Sequence, residues 1–167
     1  FLVVVVFVSS IFIGMGIMVA RFAGANEPDK VNRTVYQAFI TALFIAIVVM
    51  APIGYIVSPM LLNLANVEAV VQSEALPYLR TMFLFSSGLM IFFMLSGALR
   101  AAGDAKTPMI LGMTMTILNV IFNIVFISGF GPIPSFGVQG SAMGTCLASG
   151  VIALFAIWKL WNGSWVI

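Results

Sequence analysis

The sequence predicts an all-α integral membrane protein, on the basis of its composition and of its long apolar stretches. Of its 167 residues, 62% are hydrophobic and only 7% are charged, and the mean hydropathy is +1.19. A soluble domain carries roughly 25% charged residues, so this chain lacks the polar side chains that would cover a core of its size in water. The seven basic and five acidic residues are too evenly balanced to suggest nucleic acid as a partner.

Five stretches meet or approach the roughly 20 apolar residues that a helix needs to cross the hydrocarbon core of a bilayer. They are residues 1–20, 34–57, 79–99, 108–130 and 138–160. Transmembrane β-strands are about half as long and alternate polar with apolar residues, which these stretches do not. The first stretch has neither a basic leader nor a cleavage site, so we interpret Phe1 as a truncation point inside a span of a longer protein.

The connections contain the residues that end and start helices. Gly24 follows the first span as a stop signal, and Gly103 and Pro108 end and restart helices around the third connection. Residues 129–137 form another tight connection, with two prolines. Within the spans, Pro52, Gly88 and Gly97 are positions where kinks are expected.

Residues 58–78 form a longer connection with an amphipathic pattern. Apolar residues lie on one side and polar residues on the other: Leu61, Leu62, Leu64 and Val67 against Glu68, Gln72 and Glu74. This pattern predicts an interfacial helix that leads into the third span.

The charges orient the bundle, because basic residues collect in alternate connections. The first connection contains Arg21, Lys30 and Arg33, the second Glu68 and Glu74, and the third Arg100 and Lys106, while Lys159 lies at the end of the fifth span. By the positive-inside rule, the first span runs inward and the fifth ends in the cytoplasm. Arg80 is the exception, near the outer end of the third span, where its side chain can snorkel to the interface.

Carboxylates are missing from the predicted spans. All five acidic residues fall in connections, and the chain has no histidine, which argues against an enzyme. If transport is coupled to an ion through a carboxylate, that carboxylate lies outside this chain. Cys146 is a single cysteine in an apolar run, so no disulfide framework exists.

Neutral polar side chains form stripes on the fourth and second spans. Thr116, Asn119 and Asn123 share one helical face with Gly112. Two asparagines one turn apart in an apolar helix need hydrogen-bonding partners. They either join neighbouring helices or line a cavity for an ion or substrate. Gln37, in a shorter stripe near the cytoplasmic end of the second span, is another candidate for a cavity.

The fifth span begins with small residues on one face. Gly140, Gly144 and Ala148 recur at intervals of four, which predicts close helix packing rather than ligand binding. Thr145 adjoins this face and is a candidate binding residue.

Several motifs in a fixed order resemble the multidrug and toxic compound extrusion (MATE) transporters. They are VARFAGA (19–25), ALPYLR (75–80), LSGALRAAGDAKTPM (95–109), NVIFN (119–123) and FGVQGSAMGT (136–145). Each motif is weak alone, but their order and spacing extend over nearly the whole chain.

The resemblance implies a fold and an ion site. Family members have two lobes of six helices that alternately expose a central cavity, and residues 1–167 look like helices two to six of the N-terminal lobe. The missing first helix and second lobe would then be partners within the same polypeptide. Some members bind a cation between a helix-one Asp, a helix-five Asn and Asp, and a helix-six Thr. Asn119 and Thr145 match two of these, whereas Asn123 replaces the Asp, so a Na⁺ site near these three residues lacks one charge.

The resemblance also implies a function. We expect a secondary transporter of the bacterial or archaeal cytoplasmic membrane that exports drugs and organic cations in exchange for H⁺ or Na⁺, with no cofactor. Two alternatives stay open. One is a flippase for lipid-linked oligosaccharides, for which Arg80 would be the sole basic candidate, and the other is a membrane bundle that transports nothing.

Overall fold

The computed structural model describes residues 2–66 and 68–161, which form a helical bundle. In chain order the helices are α1 (Leu2–Gly24), α2 (Pro28–Phe44), a π-helical segment (Ile45–Met50), α3 (Ala51–Leu64), α4 (Ala69–Leu84), α5 (Ser87–Ala101), α6 (Lys106–Ser128) and α7 (Gly137–Trp161). Apart from an isolated bridge between Phe130 and Ile133, these residues contain no β-structure. The predicted all-α membrane fold is confirmed. Phe1 and Val67, to which two of the sequence predictions refer, lie outside the described residues.

Among the described residues, three helices are long and apolar enough to cross a membrane unaided: Pro28–Leu64 with 37 residues, and Lys106–Ser128 and Gly137–Lys159 with 23 each. Helices α4 and α5, bent by 53° at the break between them, are together long and apolar enough to count as a fourth span. Helix α1 has 23 residues and packs against α2 and α5. These elements lie in order at the positions of the five predicted spans, and three of them, or four with the bent pair, have the length and composition of a span.

The predicted interfacial helix over residues 58–78 is wrong. Residues 58–64 are the end of α3, and α4 begins at Ala69, so the two helices form an antiparallel hairpin. Asn66 ends α3 in the left-handed conformation, at φ 49°, and the Gln72 amide donates to Asn63 Oδ1 across the turn at 2.7 Å. Among the described apolar residues of the pattern, Leu62 is buried whereas Leu61 and Leu64 are exposed, so the pattern does not correspond to one buried helical face.

The main core lies between α1, α2, the π segment and α5. Val19, Val31, Ala42 and Met94 are almost completely buried there. At the turn after α1, Asn26 rather than Gly24 adopts the left-handed conformation, at φ 56°. Asparagine tolerates this conformation because its short polar side chain can bond locally.

Two neighbouring helices are irregular at the same level of the bundle. The π segment immediately precedes Pro52, whose ring clashes with the carbonyl of a regular preceding turn, and a widened turn relieves that clash. The α4–α5 break lies next to it, where Phe83 packs so tightly on Gly54 that a Cβ would overlap its ring. Gly88 permits a similarly close contact between α5 and α7, whereas Gly97 lies within a continuous α5.

A carboxylate fixes the start of α6 in the connection after α5. Asp104 Oδ1 accepts hydrogen bonds from the main-chain N–H groups of Lys106 and Thr107, each at 3.0 Å. Hydrogen bonds from the Thr107 hydroxyl and from these N–H groups hold the pKa of Asp104 below its ordinary value of 3.8. The ionised carboxylate therefore stabilises the folded state.

The sign of the pH dependence follows from that lowered pKa. The stabilisation by Asp104 is complete above pH 3.8 and disappears as the pH falls through the lower pKa of the folded state. We expect Asp104→Ala to lower the melting temperature at pH 7 and Asp104→Asn, which keeps an acceptor oxygen, to lower it less. Thermal unfolding of the purified protein in detergent at pH 7 and pH 3 measures both. An equal loss for Asp104→Ala at the two pH values would contradict the assignment.

Candidate functional site

Three of the predicted residues form one hydrogen-bonded chain between α6 and α7. The Thr145 hydroxyl donates to the main-chain oxygen of Ser141 at 3.0 Å, and the Asn119 amide donates to Thr145 Oγ1 at 2.9 Å. The Asn123 amide then donates to Asn119 Oδ1 at 3.1 Å. Thr145 and Asn119 each donate one of these hydrogen bonds and accept another through their side-chain oxygen. The side chains therefore polarise one another in one direction along the series of hydrogen bonds.

This series of hydrogen bonds ends at an acceptor that has no donor. Asn123 Oδ1 is buried and accepts no hydrogen bond from any described residue. A buried carbonyl oxygen without a donor costs about 1–3 kcal/mol, so its retention needs an explanation such as a bound cation or donor. The oxygens of Asn119, Thr145 and Asn123 are uncharged hard ligands, the type that Na⁺ and other hard cations prefer.

Small residues of α7 bring the two helices close enough for this chain to form. A Cβ at Gly140 would overlap the main-chain oxygen of Phe126, and one at Gly144 would overlap Asn123 Oδ1. Ala148, one turn further, is completely buried. These three residues therefore line the contact with neighbouring helices, and Gly144 lies directly beside the unsatisfied Asn123 Oδ1.

Thr116 and Gln37, the other two predicted residues, take no part in these hydrogen bonds. Thr116 is exposed, and its hydroxyl donates to the main-chain oxygen of Gly112 in its own helix at 2.9 Å. Gln37 is exposed on α2, and no hydrogen bond of its side-chain amide is found among the described residues.

Gln37 lines a separate cavity of about 210 Å³ between α1 and α2. Its other lining residues are mostly apolar and flexible: Phe12, Met15, Met18 and Ala38, with Thr34 and Thr41. The hydroxyls of Thr34 and Thr41 donate to main-chain oxygens one turn earlier in α2. The free amide of Gln37 is therefore the available polar group in an adaptable apolar cavity.

The sequence did not predict two side-chain contacts that involve α4. The Gln139 amide lies 3.5 Å from Thr81 Oγ1, which joins α7 to α4. The Arg80 guanidinium lies over the Tyr55 ring, with its Cζ 4.4 Å from the ring centroid. Both pairs join residues far apart in sequence. The one indication in the sequence was Arg80, a basic residue on the side of the bundle opposite the other basic residues.

The fold and the site together define a multispan helical membrane protein whose interior offers neutral hydrogen-bonding groups. In the part of the chain that the structure describes, no three His, Cys, Asp or Glu residues come together as a metal site would require. Neutral groups in such an interior join helices by hydrogen bonds or line a cavity for an ion or solute.

The chain belongs to the MatE family, whose sequence model matches residues 1–125. Members of this family are transporters and not enzymes. The chain is 30% identical over 149 residues to a probable multidrug resistance protein NorM of Thermotoga maritima, covering 89% of this chain and 32% of that protein. It is 28% identical to a probable multidrug resistance protein YoeA of Bacillus subtilis, covering 94% and 33%.

Solved structures have the same fold. An inward-facing multidrug resistance MATE transporter of the MOP superfamily superposes with a TM-score of 0.79 at 24% identity, covering 90% of this chain and 33% of that one. A MOP superfamily transporter from Pyrococcus furiosus, described as having a binding pocket of reverse polarity, superposes with a TM-score of 0.74, covering 91% and 32%. The chain thus spans about a third of the length of the relatives it matches.

The α6–α7 contact can be tested with a pair of glycines in α7. Gly140→Ala places a methyl group against the main chain of α6, whereas Gly150 has open space around its Cβ position. We expect Gly140→Ala to destabilise the protein by about 1–3 kcal/mol, as overpacking typically does, and Gly150→Ala to have little effect or to stabilise α7. Melting temperatures in detergent measure the difference. Equal melting temperatures for the two variants would show that the close contact is not required.

Proposed function

We propose that the protein exports amphipathic organic cations, including drugs, by alternating access and in exchange for an inward-moving cation. Family membership and the names of the relatives support drug efflux, since the matched proteins include a multidrug resistance protein MdtK of Klebsiella pneumoniae at 25% identity. The observation on which the cation coupling rests is the buried, unsatisfied Asn123 Oδ1 at the end of the amide chain. Transport of this kind needs no cofactor beyond the coupling ion.

The chemistry of the site favours Na⁺ over H⁺ at this position. An amide oxygen can bind a cation but does not take up a proton near neutral pH, so Asn123 is not a proton carrier. A Na⁺ ion would bring together the oxygens of Asn123, Asn119 and Thr145, none of which bears a charge. If the protein is proton-coupled, the titrating group therefore belongs to residues outside those described, for which a carboxylate on a preceding helix is our candidate.

The proposed transporter is larger than this chain. We infer that residues 1–167 form most of the N-terminal lobe, corresponding to helices two to six, and that a first helix and a second lobe complete the substrate cavity. The cavity beside Gln37 supports this inference, because about 210 Å³ is smaller than the roughly 300 Å³ at which drug-sized sites begin. We place the protein in the cytoplasmic membrane of a bacterium or archaeon, with surrounding lipid as its other partner.

A flippase for lipid-linked oligosaccharides is the alternative within the same superfamily. Its cargo is anionic, and a cavity for it needs basic lining residues. The cavity between α1 and α2 has none among the residues that line it. Its phenylalanine and methionine side chains instead suit a hydrophobic cation.

The ion site is tested by efflux of ethidium from cells that express the full-length gene under imposed Na⁺ or H⁺ gradients. We expect Asn119→Ala and Asn123→Ala each to lower the initial rate by about tenfold or more, because each removes a ligand to a charged species. Thr116→Val is the matched control on the same helix, since its hydroxyl bonds to its own helix. No export of a cationic dye by the wild type under either gradient would refute the proposed function, and full activity of both Ala variants would refute the ion site.

The cavity between α1 and α2 is tested through Gln37. Its amide has no partner to lose, so Gln37→Leu should leave the melting temperature unchanged. We expect the variant to raise the KM for ethidium about fivefold, the effect of losing one hydrogen bond of about 1 kcal/mol. Tyr36→Phe, at an exposed neighbouring position outside the cavity, is the control. An unchanged KM for Gln37→Leu would remove this cavity from the substrate path.

A further inference from the structure

The Arg80 guanidinium has donors that no described residue satisfies. Its Nε is buried and makes no hydrogen bond, and the ring of Tyr55 is its recorded partner. Among the described residues, the ion pair that the structure shows is between Lys30 and Glu27, in the connection between α1 and α2. Since a guanidinium has five N–H donors, a cation held this way still needs an acceptor, and the best acceptor is an anion.

The lengths of the helices place this pair at one boundary of the hydrocarbon core. At ~1.5 Å per residue, Tyr55 lies about 33 Å from Arg33 along the helix Pro28–Leu64, against a core thickness of about 30 Å. The path along α5 from Arg100 to Ser87 covers about 20 Å, and the bent α4 adds several ångströms before Arg80. Both estimates put Arg80 and Tyr55 near the membrane interface opposite the basic residues. Tyrosine is enriched at that level of membrane proteins.

Exposed apolar side chains continue from this pair toward the middle of the membrane. Leu84 lies one turn beyond Arg80 on the same face of α4, and Pro52 and Val48 lie below Tyr55 on the same side of its helix. All three are exposed in the structure. The surface formed by Arg80, Tyr55, Leu84, Pro52 and Val48 thus has a cationic end at the interface and an apolar end in the core. We call it the Arg80 surface.

We propose that the Arg80 surface binds an anionic glycerophospholipid, with the phosphate on Arg80 and an acyl chain along Leu84 and Val48. The planar guanidinium presents paired donors that match phosphate oxygens, and Tyr55 fixes its orientation. An anionic headgroup suits the site better than a zwitterionic one, because the latter brings an ammonium group for which Arg80 offers no partner. The bound lipid bridges α3 and α4, and so steadies the hairpin next to the π segment and the α4–α5 break.

The test uses the full-length protein purified in detergent and titrated with phosphatidylglycerol or phosphatidylcholine. Native mass spectrometry counts retained lipids, and thermal unfolding gives the stabilisation and the apparent affinity. We expect phosphatidylglycerol to raise the melting temperature and phosphatidylcholine to do so less. Arg80→Gln should weaken phosphatidylglycerol binding about tenfold, Arg80→Lys should weaken it less, and Tyr55→Leu should weaken it severalfold. Arg33→Gln, an exposed arginine at the basic end, controls for general attraction of anionic lipid.

Three outcomes would overturn the proposal. One is equal stabilisation of the wild type by the two lipids, a result that needs no folded variant. Another is an equal loss of lipid binding in Arg33→Gln and Arg80→Gln, which would indicate nonspecific charge attraction. The last is a melting temperature for Arg80→Gln that is lowered equally with and without phosphatidylglycerol, which would indicate that a carboxylate elsewhere in the protein pairs with Arg80. The outcome does not depend on the proposed efflux function.

Discussion

The lack of water in the hydrocarbon core is the constraint on which the rest of this structure depends. Every main-chain N–H and C=O group in a span must find its partner within the protein, and helices achieve this within each segment. The same constraint acts on side chains. The hydroxyls of Thr34, Thr41 and Thr116 each donate to a main-chain oxygen one turn earlier in their own helix. Against this background, Asn123 Oδ1 and Arg80 Nε, which are buried without a partner among the described residues, are the groups on which the two proposed ligand sites rest.

Helix association follows from the same constraint. Lipid tails are as apolar as leucine, so burying large apolar side chains gains less than it does in water, and close van der Waals contact between backbones becomes important. Gly54, Gly88, Gly140 and Gly144 each lie where a Cβ would overlap a neighbouring element. The close approach of α7 to α6 brings Thr145 within reach of Asn119, so that the packing glycines also build the amide chain.

The irregular helical segments divide the bundle into two parts. The π segment and the α4–α5 break lie side by side, between a core formed by α1, α2 and α5 and the hairpin of α3 and α4. The cavity beside Gln37 lies on the side of the core, and the Arg80 surface lies on the hairpin. The cavity beside Gln37 and the Arg80 surface are thus separated by the part of the bundle where regular helical hydrogen bonding is interrupted.

The sequence by itself determined the membrane fold, the order of the spans and the helical face shared by Asn119 and Asn123, because these depend on composition and on the helical repeat. It also indicated Gly103 as a helix end, which its φ of 96° bears out. It did not predict the α3–α4 hairpin, since residues 65–68 contain neither glycine nor proline to mark a turn. The tertiary structure alone decided which partners the polar groups have. Thr145 with Asn119, and Tyr55 with Arg80, meet across helices whose separation is set by packing, and no local pattern in the chain encodes that distance.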